Sequence, residues 1–165
     1  MTATRHLELW IAAFIVVVDQ ITKALIRAEF SLYEGVEIIP GLFDLTRVHN
    51  TGAAFGMLNG VEFPFKTVVL SLIAAAALGG LGYFATTLPA DQPLSRWGIA
   101  LILGGAAGNL IDRVALGYVT DFLDFYWQGW HFWAFNVADA AITIGVALMI
   151  LDMLGLGRTR VSRTV

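Results

Sequence analysis

The chain contains no cysteine. That removes a thiol nucleophile, a disulfide frame and thiolate metal sites, while leaving the compartment open. Histidine is nearly as scarce: His6, His49 and His131 are scattered, without the H-E-x-x-H spacing that holds zinc. Neither a G-x-S-x-G elbow nor a phosphate-binding glycine loop occurs. Charge is thin as well, at 14% of residues, and a net charge of −3 offers no basic face for nucleic acid. No internal repeat and no low-complexity segment breaks the pattern.

What is abundant is apolar. Hydrophobic residues make up 58% of the 165, and mean hydropathy is +0.73. A soluble domain of this length cannot bury so much apolar surface. Composition therefore points to an integral membrane protein with a single domain, residues 1–165. Long apolar runs predict membrane helices over about residues 8–27, 66–88, 95–114 and 136–156, against a hydrocarbon thickness of ~30 Å. The first run follows Arg5 and His6 as the core of a signal peptide would. No small-x-small cleavage site comes after it, and the apolar phase continues through Ile21, Ala24, Leu25 and Ile26, so the helix is expected to be retained.

Two segments lie between these helices on one side. Residues 28–64 are acidic, with Glu29, Glu34, Glu37, Asp44 and Glu62 opposed by Arg47. Within them, Val36–Ile39 and Phe43–Val48 flank Pro40-Gly41, which reads as two short strands joined at a turn. Residues 116–134 form an aromatic connection with Tyr118, Phe122, Phe125, Tyr126, Trp127, Trp130, Phe132 and Trp133, the composition of an interfacial belt. The expected fold class is an all-α membrane protein with four transmembrane helices and a small extracytoplasmic β-rich segment.

Alternating helix directions place Asp19, Lys23, Asp112, Arg113 and Asp139 at one membrane face. Arg5, Arg96 and a tail of Arg158, Arg160 and Arg163 fall at the other, which an excess of basic residues marks as cytoplasmic. Ionisable residues among membrane helices are costly and are functional candidates by default. Asp19 and Lys23 have the i,i+4 spacing of an intrahelical ion pair, a neutralising arrangement as much as a functional one. Asn109, Asp112 and Arg113 share a helical face. Gly104 and Gly108 have small-xxx-small spacing, which serves close packing.

With thiol and histidine motifs absent, carboxylates are the strongest catalytic candidates. Two at close range share a proton over a wide pH range. One can take a proton from water while the other protonates a peptide carbonyl or leaving nitrogen, which is aspartic peptidase chemistry without metal or cofactor. A helix-loop-helix would bring Asp139 to Asp121 or to Asp124, and spacing alone does not choose between them. Structural pairing of these acids with Arg113 or Lys23 is the bland alternative. A proton-coupled transporter would use repeats and a midplane site, and a scaffolding bundle would not need acids at one face of three helices.

Five stretches together resemble the lipoprotein signal peptidase family, also called signal peptidase II. They are Asp19-Gln20-Ile21-Thr22-Lys23, Asn50-Thr51-Gly52-Ala53-Ala54-Phe55-Gly56, Gly104-Gly105 through Asn109 to Asp112-Arg113, Val119-Thr120-Asp121-Phe122, and Phe135-Asn136-Val137-Ala138-Asp139. They occur in the family's order and cover about residues 10–155. Asp124 lies outside the pattern, so the resemblance favours Asp121. It implies an inner-membrane aspartic endopeptidase of bacteria with both termini cytoplasmic and its site near the outer face. Its substrates would be prolipoproteins, cut before the diacylglyceryl-modified cysteine. Asp121 and Asp139 would be the catalytic dyad, and Asn50, Gly52, Asn109, Arg113 and Asn136 would position substrate and dyad. Asp19, Lys23 and Asp112, with Gly105 and Ala138, would support the architecture. The resemblance also implies a small sheet and a surface helix over the site, and inhibition by globomycin-like cyclic peptides. The expected partners are the lipidated substrate and membrane lipid, with no cofactor, no nucleic acid and a monomeric enzyme.

Overall fold

The computed structural model describes residues 3–52, 61 and 63–156. The Ala53–Gly56 part of the second motif, Glu62, the tail arginines and the side chain of Arg5 lie outside the described residues. Helix α1 spans Ala3–Glu29, and strands β1 (Gly35–Ile39) and β2 (Phe43–Asn50) follow. Helices α2 (Lys66–Thr87) and α3 (Pro93–Leu116) come next, then strands β3 (Val119–Trp127) and β4 (Trp130–His131), and finally helix α4 (Val137–Met153).

The helices are inside out relative to a soluble bundle. Along α1, Trp10, Phe14, Val17, Ile21 and Leu25 are exposed, whereas Asp19 and Lys23 are fully buried. Spacings of three and four residues put the first set on one face. That stripe would be a liability in water but is at home against lipid. Among the described residues, three helices are long and apolar enough to cross a membrane, from His6 in α1, in α2 and in α3. The fourth, α4, has 17 residues, a rise of about 25 Å.

Helix α3 is the hub, with Ile99, Ala100 and Ile102 buried. At its crossing with α4, a Cβ on Gly98 would stand 2.5 Å from the Gly145 carbonyl, and one on Gly145 would stand 2.5 Å from the Gly98 carbonyl. The two backbones therefore touch, as small residues permit between membrane helices. Gly104 does the same against Ala12 of α1. Helix α2 leans on α3 but buries little else, and its Val68, Leu72 and Ile73 stay exposed.

One antiparallel sheet, in the order β1-β2-β3-β4, sits at the end of the bundle where α1 and α3 finish. Its register pairs Asp44 with Asp124, Val48 with Asp121 and Asn50 with Val119. The turn at Pro40-Gly41 joins two strands as expected. The 116–134 connection is more than an aromatic belt, because it supplies two further strands. Alternation is hidden there because Val119, Thr120, Asp121 and Phe122 are all buried, so both faces of the strand are covered. Asp121 thus sits on a strand, and the link to α4 is a hairpin rather than a simple loop. Gly117 makes the corner before β3: it has φ +84 and its N–H donates to the Arg113 carbonyl, closing α3 in a conformation that disfavours other residues. No surface helix occurs in residues 30–52, and residues 53–60 lie outside the described part.

Candidate active site

The sequence Asn136-Val137-Ala138-Asp139 folds into a capping box at the start of α4. The Asn136 Oδ1 accepts from the Asp139 N–H at 3.0 Å, and the Asp139 Oδ2 accepts from the Asn136 N–H at 3.2 Å. These bonds satisfy two of the free N–H groups at a helix start and fix the Asp139 side chain at the mouth of the bundle. Its other oxygen accepts from Asn109 Nδ2 of α3 at 2.8 Å.

Asp121 arrives from β3 and is 2% exposed. It accepts from Asn136 Nδ2 at 2.7 Å and from Asn50 Nδ2 at 3.0 Å. Asn136, itself fully buried, therefore touches both aspartates with one side chain. Among the described residues, the hydrogen bonds to these two carboxylates come from uncharged groups. Burial without a cation in direct contact, followed by repulsion from Asp139, pushes the Asp121 carboxyl up to about 7, against the pull of the two asparagines and Lys23.

A second pair of aspartates lies one layer deeper and is treated differently. Lys23 Nζ stands 2.9 Å from Asp19 and 3.4 Å from Asp112, and it also donates to Asn109 Oδ1 at 2.8 Å. Both carboxylates also hold backbone: Asp112 Oδ2, the oxygen that faces Lys23, accepts from the Thr120 N–H, and Asp19 Oδ1 accepts from the Ala138 N–H, both at 3.0 Å. Close approach is again built in. A Cβ on Gly108 would lie 2.5 Å from the Asp19 carboxylate, and one on Gly105 would collide with the Ala138 carbonyl.

Arg113 reaches across to the loop after β2, where its Nη2 donates to the Gly52 carbonyl at 3.0 Å. The Gly52 N–H donates to Asn50 Oδ1 at 3.0 Å, which ties that loop to the Asp121 partner. The residues that the family resemblance singled out thus converge at one end of the bundle. Asp124 does not: it faces His131 across the hairpin at 2.9 Å. Sequence reasoning passed over two contributors, Gln20 and the Thr120 backbone. Gln20 lies one residue off the Asp19–Lys23 face, and a backbone N–H has no residue-type signal.

Asn50, Asn109, Arg113, Asp121 and Asp139 line the polar end of a cavity of about 650 Å³. Leu70, Ile73 and Ala74 of α2 and Ile142 and Ile144 of α4 make its apolar walls. An apolar cleft ending in a few convergent polar groups is the usual form of a binding site. Among the described residues no group of histidine, aspartate and glutamate is arranged to hold a metal.

Comparison with known proteins agrees with this geometry. The family model Peptidase_A8, described as signal peptidase (SPase) II, matches residues 11–155. A lipoprotein signal peptidase of Symbiobacterium thermophilum is 46% identical over 147 residues, which are 89% of this chain and 93% of that protein. One from Pseudomonas aeruginosa is 42% identical over 146 residues, 88% of this chain and 86% of that protein. A bacterial membrane enzyme solved by the in meso method at 2.3 Å resolution superposes with a TM-score of 0.79 at 34% identity, covering 97% of this chain and 94% of that one. A matched motif order, a family model spanning nearly the whole chain and a shared fold lead to one conclusion: this chain belongs to the signal peptidase II family of aspartic peptidases.

Proposed function

We propose that this protein removes the signal peptide from diacylglyceryl-modified prolipoproteins, cutting before the lipidated cysteine, with Asp121 and Asp139 as the catalytic pair. The observation that carries the assignment is Asn136, which binds both carboxylates at the mouth of an apolar cavity between helices. Asp121, with its affinity for protons raised to about 7, supplies the acid form near neutral pH. Asp139 as carboxylate takes a proton from water, whose oxygen attacks the scissile carbonyl carbon while Asp121 protonates the carbonyl oxygen. Collapse of the resulting diol breaks the C–N bond as Asp139 passes its proton to the leaving nitrogen and one diol hydroxyl returns a proton to Asp121, which leaves a carboxylic acid and the starting protonation of the pair. Asn50, Asn109 and Asn136 hold the pair by neutral hydrogen bonds, leaving the proton shared rather than expelled by a cation.

The cavity's depth suits the substrate. A signal peptide is an apolar helix in the bilayer with its cleavage site at the outer end, and the walls of α2 and α4 are lipid-like. We read four membrane spans, both termini cytoplasmic and the sheet on the outer face, with the whole chain acting as one peptidase domain and as a monomer. This reading is supported by alternation of the helices and by Arg96 at the opposite end from the aspartates. Arg113 and Gly52 would hold substrate backbone, and globomycin-like cyclic peptides would compete for the same cavity. Purified protein in detergent should cleave a lipidated prolipoprotein peptide with no added metal. Failure of the folded wild-type protein to cleave it would overturn the reading.

A further inference from the structure

Gln20 is the only neutral side chain that reaches both members of the deeper aspartate pair among the described residues. Its Nε2 lies 3.2 Å from Asp19 Oδ2, 3.2 Å from Asp112 Oδ1 and 3.1 Å from the Gly108 carbonyl. Two N–H groups thus serve three acceptors. Each of these carboxylates also grips, through its other oxygen, the peptide N–H immediately before one dyad residue. Asp112 holds Thr120, which precedes Asp121, and Asp19 holds Ala138, which precedes Asp139. The segments carrying the dyad come from different elements, β3 and α4, and these two carboxylates anchor both to α1 and α3.

We propose that Gln20 is a positioning residue for the reaction. Its amide braces Asp19 against Asp112 and thereby sets the separation of Asp121 and Asp139. This inference rests on the peptidase reading above. Lys23 is the other tie between the same two carboxylates. Arg27, 24% exposed, stands 3.7 Å from Asp112 and donates to Thr120 Oγ1 at 3.2 Å. Two anions are already matched by these two cations. A neutral donor can therefore tighten the arrangement without adding charge, which a carboxylate or a third cation in its place could not do. A brace of this kind acts on geometry, and a displacement near 1 Å at reacting groups can cost as much as about 100-fold in rate. It leaves the substrate contacts of Asn50, Gly52 and Arg113 untouched.

The test compares Gln20→Met, which keeps the length and loses the N–H groups, with the full-length wild type in the detergent cleavage assay. Rates are normalised to folded protein. The expected result is a kcat lower by about tenfold with KM within about twofold. Gln20→Glu should lose more, since it sets a third carboxylate beside two. If Gln20→Met yields no folded protein, Gln20→Asn takes its place. It keeps the amide but draws it back by one methylene, so that it reaches only one carboxylate, and kcat should still fall by about threefold. A kcat per folded molecule within about twofold of wild type would overturn the proposal, even with a lowered melting temperature, because a merely structural side chain changes yield and not turnover. A wild-type chain that fails to cleave removes the peptidase reading and this inference together. A wild type that cleaves beside an equally fast Gln20→Met removes the brace alone.

Discussion

Four aspartates gather at one end of this bundle, Asp19, Asp112 and Asp121 buried and Asp139 half-buried, and they form two pairs with opposite surroundings. Asp19 and Asp112 face Lys23 at 2.9 and 3.4 Å and hold backbone N–H groups. Asp121 and Asp139 are held by asparagine side chains and by the Asn136 backbone, with no cation at ion-pair distance among the described residues. The residue type is the same, so on the proposed reading the partners separate the roles. An ion pair with a cation favours the charged form of a carboxylate, which suits the scaffold role proposed for Asp19 and Asp112. One held by neutral donors can keep or release a proton near neutral pH, which is what acid–base chemistry requires.

The largest effect should come from making the second pair unable to exchange protons. Asp121→Asn and Asp139→Asn keep size and much of the hydrogen bonding, and each should lower cleavage of a lipidated peptide by ~10³-fold or more. The two should act as a unit, so that the double variant is little worse than either single one. Full activity in either single variant would erase the distinction between the pairs.

Next comes the cation that defines the first pair. Lys23→Met leaves two buried carboxylates without their common partner, at a cost of about 3–5 kcal/mol. Melting in detergent should fall on the order of 10 °C. An unchanged melting temperature would show that the charged layer contributes little to stability.

A smaller effect sharpens the comparison through pH. Asp121 has its proton affinity raised from 3.8 to about 7 by burial and by Asp139. Between those values the folded state holds a proton that the unfolded chain has lost, so stability is greatest below about pH 4 and declines as pH rises through 7. Asp121→Asn cannot ionise and should lose this component. Its melting temperature relative to wild type should rise by a few degrees from pH 5 to pH 8. A difference that stays flat across that range would mean Asp121 is not the strained carboxylate.

The smallest effect is expected at Asp124. It pairs with His131 on the hairpin and does not line the cavity. Asp124→Asn should therefore cleave within about threefold of wild type. A dead Asp124→Asn would move the chemistry to the other face of the sheet.

Legibility in sequence followed the physics of each element. The helices could be read because long apolar runs have few other stable forms in a membrane protein. The β1–β2 hairpin showed itself through Pro40-Gly41. Strand β3 did not, because helices and sheet cover both sides of Val119–Phe122 and no polar alternation survives. At the site, Asn109, Asp112 and Arg113 were grouped by helical spacing. Choosing Asp121 over Asp124 required the family resemblance, since what separates them, the Asn50 and Asn136 contacts and a place in the cavity wall, exists only in three dimensions. The backbone grips on Thr120 and Ala138 carry no sequence signal, and with them the connection between the two aspartate pairs stayed out of view.

The most direct test of the two-pair account measures melting temperature and turnover together for Asp19→Asn and Asp121→Asn in the same detergent at pH 7. The account predicts that Asp121→Asn melts at or above the wild-type temperature and does not cleave. Asp19→Asn, with Lys23 poorly matched and Ala138 more weakly held, should lose several degrees of stability along with activity. An Asp19→Asn protein that melts like wild type yet does not cleave would contradict the account, because it would make a proposed scaffold carboxylate part of the chemistry.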